Sequence, residues 1–371
     1  MYAPLASGLR IDWRPLAALD DVKDEWRALS ARALEPNVFY DPAFALAAAP
    51  VFGREVGAGL IWLGARLVGF FPATITRRRY GLRRPLLVGW THPYAPLGTP
   101  LVAAEVAQET IAAWLDHLAS DADMPDLMLL PMVPQNGPFG TALNSVLQTR
   151  QHALFGSHQR ALLAPGMQRS GYLERAVGGR TRKEWRRQRR RLEDKGAVSM
   201  VSTSGNGATA ALDDFLALEA GGWKGRAGTA ARDDAKLGEF MRGAVAGLAD
   251  KAGIHRLMLG DRAIAAAITL RSREYGWFWK IAYDEAWAQF SPGVLLALEL
   301  TEKLLRDDGI AHVDSCATAN HPMIDRLWDE RLTLADHFVA TRPTGAFFFW
   351  RQLEALRRAG ITTAKTLLGR R

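Results

Sequence analysis

Cysteine is nearly absent: Cys316 is the single one among 371 residues. A lone thiol forms no internal disulfide and no thiolate cluster for zinc, so a disulfide scaffold and a zinc finger are both excluded, and a reducing cytoplasm is the expected compartment. Long apolar runs are also missing. Arg66, Arg77, Arg78, Arg79 and Arg83 interrupt the most hydrophobic region, leaving nothing near the ~18 uncharged residues needed to span a bilayer. The first residues mix Arg10, Asp12 and Arg14 into apolar neighbours, where a signal peptide would carry a basic start and an apolar core. The protein is therefore expected to be cytoplasmic, free or peripheral on the inner membrane. P-loop spacing, a helix-turn-helix, an aromatic RNA-binding signature and a cysteine-histidine finger are all missing, which disfavours nucleotide hydrolysis and specific nucleic-acid recognition.

What is present is the composition of a globular protein, 48% hydrophobic and 23% charged, long enough for two domains. Acids are outnumbered, 39 against 47 basic residues, for a net charge of +8. That excess suits an anionic partner: nucleic acid, an acidic membrane surface or a phosphate-rich cofactor.

Hydrophobic periodicity reads as two successive α/β units without a short repeat. The first has a helix over Asp20 to Ala33, strands over Gly59 to Trp62 and Leu67 to Thr74, a helix over Ala104 to Ser120 and a strand over Leu127 to Met132. Trp90 to Gly98, broken by prolines, reads either as the wall of a pocket or as a packed surface loop. From Glu174 to Lys195 runs the densest cluster of arginine and lysine, a helix docked through Trp185 and Leu192 and stopped near Gly196. This basic face is either merely solvated or in contact with phosphate or membrane. The second unit has helices over Ala211 to Ala220, Ala235 to Ala252 and Pro292 to Asp308. Its strands run over Ile254 to Leu259, Ala263 to Arg271, Tyr275 to Tyr283 and Ala311 to Ser315, and a short helix is expected over Pro322 to Glu330.

Three segments carry candidate chemistry. In Phe290-Ser291-Pro292-Gly293-Val294, Ser291 is placed to cap a helix whose first turn holds Pro292, and Gly293 would let a pyrophosphate approach the backbone; an ordinary cap is the alternative. Asp314-Ser315-Cys316 through Asn320-His321-Pro322 gathers an acid, hydroxyls, a thiol and an imidazole after a strand, as sites in open α/β sheets do. The Cys316–His321 spacing fits no protease signature, so an inert thiol is expected. Trp223-Lys224-Gly225-Arg226 forms a basic glycine-containing turn in which Lys224 could hold a phosphate or sit at the surface.

With these residues on the page, the chain resembles the bacterial GNAT acetyltransferases of the CelD/BcsL type and, more distantly, the Fem-type aminoacyl transferases. The markers are Arg182 to Leu192, Leu218 to Gly225, Trp279 to Glu285, Ser291-Pro292-Gly293 and Asp314 to Asp325. The resemblance implies an α/β fold with mixed sheets, a tandem double GNAT (acyl-CoA N-acyltransferase) fold. Its N-terminal domain would cover 1–165 and its catalytic domain 166–345, ahead of an amphipathic basic segment, 346–371. It also implies acyl-CoA or acetyl-CoA as co-substrate, no metal, and direct attack of a primary amine on the thioester. By the same resemblance His321 is the base, oriented by Asp314, with Glu219 as the alternative. Ser291, Pro292, Gly293, Val294 and Lys280 would hold the donor, and Trp223, Lys224, Tyr283 and Asp284 the acceptor. A single glycine after Gln289 departs from the usual spaced-glycine pyrophosphate signature, which leaves acyl carrier protein as a second donor. The acceptor would be an amino sugar, a lipid amine such as a long-chain base, or an amino acid. Phe347-Phe348-Phe349-Trp350, followed by basic residues, reads as an interfacial anchor or as a core-docking cluster. The rival classes are a non-catalytic GNAT-like sensor of an anionic ligand or nucleotide messenger, and a nucleic-acid-binding module.

Overall fold

The computed structural model describes residues 8–79, 81–166, 169–226, 228 and 230–368, with backbone only at 223, 224 and 362–368. The chain opens with β1 (Leu9–Pro15), α1 (Lys23–Arg32), α2 (Pro42–Phe52), β2 (Val56–Leu63), β3 (Arg66–Thr76), β4 (Leu86–Gly89) and β5 (Leu101–Val102). It continues through α3 (Ala107–Ser120), β6 (Leu127–Pro134), α4 (Pro138–Leu147), β7 (His152–Leu163), α5 (Tyr172–Ala176), α6 (Gly179–Glu193), β8 (Val198–Ser204), α7 (Ala208–Gly221) and α8 (Trp223–Arg226). The last part holds α9 (Ala235–Leu248), β9 (Ala252–Leu259), β10 (Arg262–Ser272), β11 (Tyr275–Tyr283), α10 (Pro292–Leu305), β12 (His312–Asp314), β13 (Glu330–Ala340) and α11 (Phe347–Leu368).

Two compact units result, and neither is one contiguous stretch. The first is Met1–Tyr40, Gly53–His158 and Thr333–Arg371; the second is Asp41–Phe52 and Gln159–Leu332. In the first the strand order is β1-β2-β3-β4-β6-β13, with β5 against β3, and only β4 and β6 are parallel. In the second the order is β7-β12-β11-β10-β9-β8, with only β11 and β12 parallel. Leaving aside the two-residue β5 and the four-residue α8, the chain thus runs twice through strand, two helices, three strands, helix, strand, although α2 of the first pass falls in the second unit. The sixth strand is exchanged: β13, late in the chain, closes the first unit beside β6, and the end of β7, early in the chain, closes the second beside β12. Contiguous boundaries at 165 and 345 miss this exchange, because which strands pair across the chain leaves no local mark in the sequence.

In the first unit aromatic residues fill the space between helices and strands. Trp26 of α1 lies against Phe70 of β3 at 4.3 Å between ring centres, and its indole N–H donates to the Tyr40 carbonyl at 2.8 Å. Trp114 of α3 covers β2 at Gly59, where any Cβ would meet its ring. In the second unit β10 is buried from Ile264 to Ile268 on both faces, as expected of a central strand covered twice. Leu295, Leu296, Leu300 and Leu304 of α10, spaced for one helical face, pack into its core. Phe44 of α2 makes edge contacts with Phe240 and Trp279 at 5.4 and 5.5 Å, and Asp41 pairs with Lys251 at 2.7 Å, so α2 belongs to this unit.

Two expected elements differ. The segment Pro322 to Glu330 holds one turn, Ile324–Arg326, and not a helix, because Glu330 already begins β13. The Ala235 helix ends at Leu248, and Ala252 starts β9.

Candidate active site

The site grows from the parting of two parallel strands. β11 pairs with β10 along its whole length, from Ser272↔Tyr275 to Ala265↔Tyr283. Against β12 it pairs only at Tyr275↔His312, Gly276↔Val313 and Trp277↔Asp314, so residues 278–283 run on without that neighbour. Asp314 shows why. Its carboxylate forms a buried pair with Arg160 of β7, tying β12 to β7. Its other oxygen accepts the Cys316 N–H at 2.9 Å, turning the chain away through a left-handed Cys316 (φ 52°). Breaking a buried ion pair by removing one partner costs roughly 3–5 kcal/mol, so this pair holds the gap open firmly.

At the carboxyl end of β11, Asp284 accepts the Ala286 N–H at 3.0 Å and an Arg262 N–H at 2.6 Å. Asp284, expected among the acceptor-binding residues, thus also shapes this loop. One more helical stretch, Glu285–Phe290, leads to Ser291 in the left-handed region (φ 51°, ψ 52°), and Pro292 opens α10. The Ser291 hydroxyl caps nothing, correcting the expected cap: a side-chain cap needs extended φ/ψ at that position. Its carbonyl instead accepts from Val294 and Leu295 at 3.0 and 3.1 Å. At Gly293 the position a Cβ would take faces β11, 3.4 Å from Tyr283 Cδ1 and 3.7 Å from Ile281 Cδ1, an ordinary packing contact.

Around the start of α10 lies a cavity of about 710 Å³. Ser291 and Val294 form one side, Pro322, Met323 and Arg326 another, and α6 contributes Arg180, Lys183, Trp185 and Arg187. Arg187 is matched by Glu184 at 2.8 Å. Among the described residues Arg180, Lys183 and Arg326 have no acidic partner, so three cations meet the positive end of the α10 dipole, an arrangement that attracts a multiply charged anion. α6 reaches this position because Leu192 is buried in the core with Trp185 packed against it, and because Arg189 bridges Glu193 and Glu299 of α10.

The remaining expected residues divide. Glu219 of α7 is 4% exposed and accepts the Ala231 N–H at 3.0 Å. Its helix ends beside the loop after β11: a Cβ at Gly222 would lie 3.5 Å from Glu285 Oε1, and Arg226 of α8 pairs with Glu285 at 2.8 Å. Trp223 and Lys224 lie on α8, their side chains outside the described residues; Gly225 is obligatory there because a Cβ would overlap the Ala220 carbonyl. Tyr283 is 41% exposed with its ring toward Gly293, and Lys280 lies on the stretch of β11 that β12 leaves. His321 is not oriented by Asp314, whose carboxylate serves Arg160 and Cys316; its Nδ1 instead accepts the Met323 N–H at 3.4 Å. Burial, with Asp314 adding to it, pushes the Cys316 thiol well up, so it stays protonated and non-nucleophilic. Among the described residues no group of three His, Cys, Asp or Glu is placed to hold a metal, and no helix is long and apolar enough to cross a membrane. Sequence reasoning missed Arg160 and Arg326, since an arginine that closes a site across strands carries no local pattern.

The first unit repeats the parting with a different outcome. β4 pairs with β6 only at Leu87↔Met128 and Val88↔Leu129. The Trp90 to Gly98 segment then lies along β6: the Gly98 N–H donates to the Met132 carbonyl at 3.2 Å, and a Cβ at Gly98 would overlap the Pro131 carbonyl. With Trp90, Tyr94, Ala95 and Leu97 buried, the loop packs into this unit.

Residues 179–321 match the family model described as "Acetyltransferase (GNAT) domain". The chain has the GNAT fold, twice, in mixed sheets. Among solved structures it is similar to a conserved protein of unknown function from Bacteroides thetaiotaomicron, at 10% identity and TM-score 0.54, covering 89% of this chain and 99% of that one. It is similar also to FemX, at 11% identity and TM-score 0.56, covering 86% and 95%. A third is the C-terminal domain of a candidate lysylphosphatidylglycerol synthetase from Agrobacterium fabrum, at 8% identity and TM-score 0.55, covering 92% and 96%. These likenesses establish the fold. No curated protein matches.

Proposed function

We propose that this protein is an N-acyltransferase that moves an acyl group from acyl-CoA, acetyl-CoA included, to the primary amine of a cell-envelope precursor, an amino sugar or a lipid amine such as a sphingoid long-chain base. The observation that carries this reading is the gap between β11 and β12 opening beside the cationic cavity at the start of α10. A pantetheine arm is a chain of amides. Laid in the gap, it can run alongside residues 278–283, beyond the last β11 residue that β12 pairs with, while Arg180, Lys183 and Arg326 meet its phosphates. An acyl carrier protein brings the same arm with a single phosphodiester and no nucleotide phosphates, so three unmatched cations favour CoA.

In the reaction the amine nitrogen bonds to the thioester carbonyl carbon, the C–S bond breaks, the thiolate leaves and the amine loses a proton. Glu219 is the proposed proton acceptor, because its carboxylate lies on the helix that ends at this loop. Tyr283 and Lys280, on the free stretch of β11, line the path of the arm and the acceptor.

The test has two parts. CoA thioesters should raise the melting temperature where ATP and duplex DNA do not, and mass spectrometry of mixtures with amino sugars or long-chain bases should show one class acylated. If no CoA ester stabilises the protein, the donor assignment falls; if a nucleotide messenger does so alone, the protein is a sensor.

A further inference from the structure

The C-terminal helix α11 has two apolar faces, and only one is used within the fold. Facing inward are Phe347, 7% exposed and stacked on Phe338 at 5.7 Å, and Glu354, 0% exposed. Trp350 sits beneath the Arg84 guanidinium at 5.0 Å. Of the four aromatics that open the helix, two are therefore turned into the protein. The other two are not: Phe348 is 62% and Phe349 53% exposed. Leu356, two turns on, is 68% exposed. At about 100° per residue these three fall within one stripe, with Gln352 and Ala359 between them and no charged residue.

The charges border this stripe. Arg351 lies along one edge, its guanidinium 5.0 Å from the Phe348 ring, and Arg357 lies along the other, 41% exposed. From Phe347 to the end of the sequence Glu354 is the only acid. It is buried under Arg79, Arg357 and Arg358, so it gives the outer face no negative charge. An apolar stripe bordered by arginine on both sides, with its acid withdrawn, is the pattern of a helix lying in a membrane interface. A second copy of the chain fits less well: a two-fold contact through this stripe would bring arginine edges together with no acid to meet them.

We infer that the outer face of α11, through Phe348, Phe349 and Leu356, docks on an anionic lipid bilayer. The aromatic and leucine side chains enter the boundary between headgroups and acyl chains, and Arg351 and Arg357 stay at the level of the lipid phosphates. This surface is independent of the acyl-transfer reading, since it is measured without substrate.

The full chain is sedimented with vesicles of phosphatidylcholine alone and with vesicles about one third phosphatidylglycerol. The expected result is binding to the anionic vesicles that weakens with salt, and a loss of at least about tenfold in Phe349→Ser/Leu356→Ser with melting temperature unchanged. Arg351→Gln/Arg357→Gln should lose the preference for phosphatidylglycerol. Binding that survives the serine pair overturns the proposal, as does a protein that stays in the supernatant with both vesicles. So does a doubled mass in sedimentation equilibrium that the serine pair abolishes, which would assign the stripe to a second copy.

Discussion

His321 is engaged by its own backbone: its Nδ1 accepts the Met323 N–H at 3.4 Å, an arrangement that suits a neutral ring with its proton on Nε2. His321→Ala is therefore expected to lower stability by about 1 kcal/mol, as loss of one hydrogen bond does, with the single-turnover rate within about tenfold of wild type. Glu219→Gln is expected to lose roughly two to four orders of magnitude in that rate, and Cys316→Ala to keep it. A well-folded His321→Ala protein with the large loss would make His321 the base. Glu35 of the first unit gives a pH signature. Its carboxylate accepts the Phe139 N–H at the start of α4 at 2.9 Å, and burial raises its pKa to about 7. The folded protein thus keeps a proton there that the unfolded chain has released. The stabilisation is complete below the unfolded carboxylate value and is lost as pH rises toward about 7. Glu35→Gln should gain on wild type by up to about 3 kcal/mol at about pH 8 and by little at about pH 4, read as the difference in denaturant midpoints. A difference independent of pH would show that the carboxylate ionises freely in place.

At the scale of elements, α6 does two jobs with two faces. Leu192, Trp185 and the Arg189–Glu299 pair fix it to the core and to α10, while Arg180 and Lys183 reach the cavity at the start of α10. Arg180→Gln/Lys183→Gln/Arg326→Gln should weaken CoA binding at least ~10-fold, about 1.4 kcal/mol, and flatten its dependence on salt, without lowering the melting temperature. Equal CoA affinity in that variant, measured by calorimetry, would remove the cavity from the donor site. The aromatic opening of α11 is likewise divided, with Phe347 inward and Phe348 and Phe349 outward, so the core-docking reading holds for Phe347 and the interfacial reading is the proposal made for the other two.

At the scale of the whole molecule, the sequence by itself determined the elements whose signal is local. β11 is found over Tyr275–Tyr283, α10 begins at Pro292, and α6 is docked by Trp185 and Leu192, because periodicity, a proline at a helix start and a buried stripe are written within a few residues. The segments from which the site is proposed, around Ser291 and Asp314, stand out in the sequence for the same reason: glycine, proline and polar residues follow the ends of strands. Tertiary structure alone decided the rest. The exchange of β7 and β13 between units joins residues far apart in the chain. So do the Arg160–Asp314 pair that parts β12 from β11 and the arrival of Arg326 beside Arg180 and Lys183. None of these leaves a local pattern, since a long-range pairing depends on which strand lies alongside, and that is fixed only when the whole chain has packed.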